Sequence, residues 1–441
     1  MTASAQLRIA RLAATPALHR AFRWFHLHQP QLRKWQLEML RIPAPPFGEQ
    51  ARAAWFLERF HELGLANPHL DEAGNALAEL PAEPGPPESR APEPALSLSK
   101  GSAVLSPTLG LPLPAHRPNH RPQPLVLLSA HLDTVFPPGT DTAPTEIETR
   151  ILAPGACDNA AGLSALLGLA AALRHAELLP AVPILFAANV GEEGEGDLRG
   201  MRHLFTHAPY GAVNQPPRIV AAIALEGGGS SAVVTRALAS RRFRIAVTGP
   251  GGHSWTDAGA PNPILILARA LLSLESLDLP HAEPRTTLNV GHISGGTSIN
   301  SIPSSATALL DLRSTDSAHL QAAEAALRRT LAASIPTALT IEIIGDRPGG
   351  ALPDDSPLLT TLRAVDRHLN LRTEPGLGST DANIPLSLGI PAIAIGAGGL
   401  GGGIHTLSEW YDPTGRQNAL RRILLTLLDT AHLAAMAAAE V

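Results

Sequence analysis

Short apolar runs that stop abruptly at carboxylates or histidine recur along this chain, and they narrow what it can fold into. Leu125–Ala130 stops at His131-Leu132-Asp133, and Ile184–Val190 at Gly191-Glu192-Glu193-Gly194. Ile219–Leu225 stops at Glu226-Gly227-Gly228-Gly229, and Pro391–Ile395 leads into a glycine-rich loop that reaches His405. Asp158 opens an Ala/Leu-rich helix over Asn159–Arg174. Runs this short and apolar read as strands buried on both faces. Strands alternating with helices imply an α/β domain, with a mostly parallel sheet and helices on both faces. Ligands in such sheets sit at the carboxyl ends of the strands, where five separate segments here deliver histidine or carboxylate.

The pattern changes between about Ala239 and Gly349. Phe243–Val247 reads as a strand, Pro263–Leu277 as a helix, Thr287–Ile293 and Ala306–Arg313 as strands, Ser317–Ser334 as a helix and Thr340–Ile344 as a strand. This β-α-β-β-α-β order is the ferredoxin-like motif. The expected architecture is a catalytic α/β domain in two segments, 1–238 and 350–441, with an α+β lid over 239–349 inserted between them. The 441-residue length agrees with more than one core. Residues 1–30 read as one leading helix. A second helical stretch, 31–66, breaks at the prolines of 42–46 and resumes over Gln50–Leu63, ending at Gly64. From 81 to 124 the chain is rich in Pro, Ser, Ala and Gly and poor in large apolar residues, which reads as a flexible insertion. A last helix is expected over Gln417–Ala438.

Composition excludes several classes. The balance of 34 basic and 39 acidic residues lacks the basic excess of a nucleic-acid binder. The one cysteine, Cys157, excludes an internal disulfide framework and a multi-cysteine metal site. It reads as a small buried residue rather than a thiol ligand. No run of 18 apolar residues appears, so no membrane span is expected. No secretory signal is visible in the first residues, and the cytoplasm is the expected compartment.

Histidines with carboxylates suit zinc or a similar divalent ion, and this set is large enough for two ions with one carboxylate between them. Asp133 stands where a second acceptor could orient the His131 ring. The adjacent Glu192 and Glu193 point different ways at a strand end, so one can bind metal while the other stays free as a general base.

The ordered set of segments resembles the di-zinc aminoacylase and carboxypeptidase-type metallopeptidases, which include glutamate carboxypeptidase, acetylornithine deacetylase and peptidase T. The matching pieces are Ser129-Ala130-His131-Leu132-Asp133-Thr134-Val135, Gly155-Ala156-Cys157-Asp158-Asn159, Gly191-Glu192-Glu193-Gly194 and Gly403-Ile404-His405-Thr406, with Gly249–Ser254 and Gly296–Pro303 in the lid. The resemblance implies that Asp158 bridges two metals, that His131 and Glu226 complete one site, and that Glu193 and His405 complete the other. It implies Glu192 as general base and a cis peptide at Asp158-Asn159. It also implies His253 as a lid histidine for the oxyanion, reaching a partner subunit's site in a homodimer formed through the lid. Asn300 and Arg313 would be substrate-binding residues of the lid.

The expected activity is metal-dependent hydrolysis of an amide bond in a small peptide by hydroxide activated between two metals. Zinc is favoured, with manganese or cobalt also fitting the ligands. Deacylation of an N-acyl amino acid by the same chemistry is the alternative. A non-catalytic metal-dependent binding protein is the alternative from another class. No nucleic-acid or membrane partner is expected. At single residues plainer readings stand alongside: Glu192 as a partner of Arg199, His253 as a helix cap with Ser254, Arg313 as a strand residue paired with Asp311 or Asp316, and Glu195 and Asp197 as a solvated face. No role is assigned to Asp381 beyond lining the pocket.

Overall fold

The computed structural model describes residues 2–83, 123–211, 218–334 and 339–440. The Pro-rich stretch expected to be an insertion lies outside the described residues from 84 to 122.

The larger core is a mixed sheet. Its strands run in the order Ala66–Leu70, Ala76–Leu80, Ile184–Asn189, Leu125–His131, Ile219–Leu225, Ala392–Ile395, Ala232–Ala237 and Gly350–Ala351, and Glu374–Gly378 also pairs with Ala232–Ala237. The middle four strands are parallel. Leu125–His131 and Ile184–Asn189 are buried along their whole lengths, as strands covered on both faces must be. The first of the four in sequence, Leu125–His131, has the second on one side and the third on the other. The strand order therefore reverses between Leu125–His131 and Ile219–Leu225, and a crevice opens beyond their carboxyl ends at such a reversal. His131 and Glu226 stand at those two ends.

Helix Ala160–His175 is buried along almost its whole length. The Asn159 side chain caps it by accepting from Gly162 N at 3.2 Å, and also bonds Leu225 O (2.8 Å) and Gly227 N (3.0 Å). Gly162 permits this close approach, since a Cβ there would lie 2.2 Å from Asn159 Oδ1 and 2.8 Å from Leu225 O. Helix Arg416–Ala439 contacts the strands Leu125–His131 and Ile219–Leu225. Among the described helices it alone is long and apolar enough to cross a membrane, and over half of its apolar window is buried inside the protein. Arg422 and Asp429 interrupt its sequence, which is why no unbroken apolar run marks it, and both are ion-paired there.

The lid has its own core around Phe243, Ile245, Leu267, Leu310 and Leu327. Its antiparallel sheet runs Thr286–Gly295, Ser305–Ser314, Ala239–Thr248, Leu339–Arg347, with helices Pro263–Ser273 and Ser317–Ser334 against it. Taken in chain order the spatial sequence is second, third, first, fourth, which is the ferredoxin-like arrangement.

One local expectation fails. The leading segment is not one helix: it divides into Thr2–Ala13 and Pro16–Leu27. Thr15 takes extended backbone and its hydroxyl accepts from Leu18 N, while Pro16 sits at the first helical position, where its missing N–H is harmless. The helix Gln50–Glu62 ends just before Gly64, where the sequence places its end. Beyond Gly64 the chain turns into the hairpin Ala66–Leu70 and Ala76–Leu80, whose second strand pairs with Ile184–Asn189.

Candidate metal centre

His131 and His405 face one carboxylate from opposite sides. Asp158 Oδ1 lies 3.0 Å from His131 Nε2, and its Oδ2 lies 3.2 Å from His405 Nε2. His131 Nε2 is also 3.3 Å from Glu226 Oε1, and His405 Nε2 is 3.0 Å from Glu193 Oε1. The donor atoms of His131, Asp158 and Glu226 fall within 4.8 Å of one another, as do those of Asp158, Glu193 and His405. A third group, His131 with Glu192 and Glu193, meets the same limit. The structure thus brings together all five expected ligands, with Asp158 shared between two clusters.

The surroundings fit divalent cations. Nearby carboxylates set the local potential: although burial opposes it, Glu226, Asp133 and Asp158 hold His131 well above the usual histidine range. Asp158 and Glu193 push His405 up to about 10. A field that keeps protons on both inward-facing nitrogens is one that cations can satisfy instead. Burial raises Glu226 to about 7, and its buried Oε2 has no hydrogen-bond partner among the described residues. An orphaned carboxylate oxygen of this kind is what a cation would engage. The Asp158-Asn159 peptide is cis.

Around the ligands lies a layer that holds them. Asp133 differs from the expected arrangement. The His131 Nδ1 lies 3.0 Å from the Asp133 backbone carbonyl and 3.7 Å from its carboxylate. The carboxylate instead accepts the backbone N–H groups of Glu192 (2.9 Å) and Glu193 (2.7 Å), and so fixes the turn that aims both glutamates. Beneath it the wholly buried Arg52 donates to Leu132 O and Ile42 O, and burial lowers its guanidinium to about 10.

Glu409, four residues past His405, was not anticipated. It is 1% exposed, and its carboxylate accepts from Gly155 N, Cys157 N and Asp158 N, each at 2.8 Å. It thereby cradles the loop that presents Asp158. Arg347, also unanticipated, closes the last lid strand. Its Nη1 lies 3.1 Å from Glu192 Oε1, and its Nη2 donates to Glu192 O. Burial pushes the Glu192 carboxyl well up, with Arg347 opposing. Arg199, the partner considered for Glu192, pairs instead with Glu49 at 2.6 Å.

The end of the strand Leu339–Arg347 also takes up Asp197, whose carboxylate accepts Asp346 N at 3.0 Å and pairs with Arg202 rather than facing solvent alone. Asp381 is buried and accepts from Asn189 Nδ2 at 2.7 Å, in the strand position paired with His131. Burial lifts it to about 6. Cys157 is buried, its Sγ accepts from Gly228 N at 3.1 Å, and burial pushes the thiol up to about 12.

The lid residues stand apart from this cluster. Gly252–His253 pairs with Ser301–Ile302, which sets His253 beside Asn300 in an exposed ladder. The His253 ring nitrogen Nδ1 accepts from Trp255 N at 3.2 Å. Arg313 pairs with Asp311 at 2.6 Å. None of the three contacts the five clustered residues within this chain, because each belongs to the separately packed lid.

The model of Peptidase family M20/M25/M40 matches residues 127–429, more than half of the chain. A probable carboxypeptidase of Aspergillus clavatus is 31% identical over 208 residues, 43% of this chain and 44% of that protein. The chain thus matches less than half the length of that curated relative. Among solved structures, a tripeptidase of Staphylococcus aureus aligns with a TM-score of 0.65 at 20% identity, over 91% of this chain and 98% of that one. A dinuclear metal-binding peptidase of Bacillus subtilis aligns with 0.60 at 14% identity, over 92% and 99%. These two show the same fold. The family match begins within the strand that carries His131 and runs into the helix that closes the core, and this chain belongs to peptidase family M20/M25/M40.

Proposed function

We propose that the chain hydrolyses an amide bond in a small peptide, with two divalent cations bound at its sheet edge. The observation that carries this reading is Asp158, which offers one carboxylate oxygen to each of two histidines. His131 and Glu226 complete one site and Glu193 and His405 the other, and zinc suits this mixed nitrogen and oxygen set. When bound, the cations would polarise the scissile carbonyl and bring water toward ionisation near neutral pH.

The protein's own part is proton transfer and positioning. Glu192 takes the proton from the attacking water and returns it to the leaving amine. Arg347 engages Oε1 of that glutamate, which leaves Oε2 to carry the proton. Asp133 sets the direction of Glu192 and Glu193 through their backbone N–H groups.

The lid supplies the remainder. His253 is exposed and bonds none of the clustered residues in its own chain, and among the described strands the edge strand Thr286–Gly295 pairs on one side only, with Val290 and Ile293 exposed. These features support a homodimer formed through the lid, in which His253 of the partner subunit donates to the developing oxyanion and Asn300 and Arg313 grip the substrate. The test is metal content per chain together with turnover on dipeptides, tripeptides and N-acyl amino acids. About two metals per chain and peptide turnover are expected. Two bound metals with no turnover on any substrate would refute the assignment, and turnover confined to N-acyl amino acids would replace peptide cleavage by deacylation. Sedimentation showing only monomers at working concentrations would remove the dimer.

A further inference from the structure

Beside Asp158 and Glu226 the surface opens into a cavity of about 280 Å³. One wall is the backbone of Gly227, Gly228 and Gly229, and the other carries Gly401 with the aliphatic side chains of Leu400 and Ile404. We infer that this cavity is a specificity subsite for one uncharged, apolar group flanking the scissile amide, such as an aliphatic side chain or a short acyl chain. The inference rests on the proposed hydrolase reading and adds the substrate class.

Three observations carry it. The volume lies just below the range of pockets that hold whole small ligands, so it takes one group and not an entire peptide. Next, the three N–H groups of the glycine wall are all taken. Gly227 N is given to Asn159 Oδ1 (3.0 Å), Gly228 N to Cys157 Sγ (3.1 Å) and Gly229 N to Gly399 O (3.2 Å). No lysine, arginine or histidine lines the cavity. A carboxylate packed against this wall would lose water, find no donor on the glycines in exchange and lie against the aliphatic side chains of Leu400 and Ile404, which disfavours it. Finally, the apolar surface is already there: Leu400 is 62% and Ile404 46% exposed, aliphatic side chains left open at the mouth of the cavity.

The far wall is held close. A Cβ on Gly401 would lie 2.2 Å from Cys157 Sγ, so this glycine lets the strand Leu400–Gly402 approach the loop that carries Asp158 and sets the cavity's width. Leu400 faces solvent and touches no metal ligand in sequence, so its replacement changes the mouth of the cavity without disturbing the core.

The test uses the metal-loaded full-length protein and two series of small amide substrates. The residue on each side of the scissile bond is varied in turn among Leu, Met, Glu and Lys. In one of the two series, kcat/KM for Leu and Met is expected to exceed that for Glu by roughly 100-fold, the usual penalty for a buried group left without its partners. Leu400→Arg should lower that ratio at least tenfold by giving Glu a cation, and Ile404→Lys should act in the same direction. Equal rates for Leu and Glu in both series, or a ratio unmoved by Leu400→Arg in an enzyme still active on Leu, would overturn the subsite. Calorimetry with the same compounds reads the cavity apart from turnover. Preferential binding of the apolar members sustains the subsite even if none is cleaved, and binding without preference overturns it.

Discussion

Replacing Glu409 by glutamine isolates the contribution of one buried carboxylate to a site it never touches directly. Its Oε1 accepts two backbone N–H groups, from Cys157 and Asp158, and its Oε2 accepts a third, from Gly155. Glutamine has the same shape but only one acceptor oxygen. Set toward Cys157 and Asp158, its amide nitrogen confronts the Gly155 N–H; set the other way, two N–H groups lose their acceptor. The first arrangement is the cheaper. It leaves one buried donor unpaired, which costs about 1–3 kcal/mol, and turns two charge-assisted bonds into weaker neutral ones. Part of this is offset, because burial already raises the Glu409 carboxyl above its ordinary range and glutamine carries no charge to desolvate. A net loss of about 1–3 kcal/mol in the loop that presents Asp158 follows from these terms. Expressed at the metal sites, it corresponds to roughly a 10- to 100-fold weaker affinity, at about 1.4 kcal/mol for each factor of ten. Competition against a calibrated chelator measures that affinity, and thermal melts with and without metal measure the fold. Metal affinity within twofold of the parent, with only the melt lowered, would refute the argument and reduce Glu409 to a structural residue.

Three other perturbations test the rest of the arrangement. Glu192→Gln should lower kcat by about a hundred- to ten-thousand-fold, the usual yield of a positioned acid or base, while metal content measured by elemental analysis stays unchanged. Arg347→Met should release Glu192 from the last lid strand and lower kcat with KM and metal content little altered, and Arg347→Lys should recover part of the loss. Equal losses for both, with KM rising in step, would argue for a substrate contact instead. Arg422→Met should cost about 3–5 kcal/mol in denaturant unfolding, since it strands Asp366 in the core. The two groups meet at 2.6 Å with Arg422 fully buried, and the double change Arg422→Met with Asp366→Leu should regain much of that loss.

What could be read from residues alone follows from how strands report burial. Leu125–His131 and Ile184–Asn189 are covered on both faces, so apolar side chains run to their ends, and a charged group just past that point stands out against them. His131, Glu193 and Glu226 carry that signal. The edge strands carry none: Ala66–Leu70 alternates between half-buried and exposed positions and includes Pro68 and His69. The break at Thr15-Pro16 was legible as a cap followed by a first-turn proline, and the helical pattern on either side masked it.

The supporting layer is a different case. Glu195 and Glu409 both lie in glycine-bearing loops near a ligand, and nothing local separates them. The difference appears only when the chain brings Glu409 against N–H groups more than 250 residues away. Arg347 gains its meaning in the same way, 155 residues from Glu192. A metal ligand leaves a trace in its own strand because it violates that strand's burial pattern. A residue that positions the ligand satisfies a backbone group elsewhere, so its trace exists only in three dimensions. The Asp133 side chain shows the boundary between the two. Its proximity to His131 in sequence drew it toward the histidine ring, while its carboxylate answers to two N–H groups across the sheet. Those two backbone bonds, rather than a contact with the imidazole, are what would fail first in Asp133→Ala, which should misdirect Glu192 and Glu193 together and lower metal affinity and turnover at once.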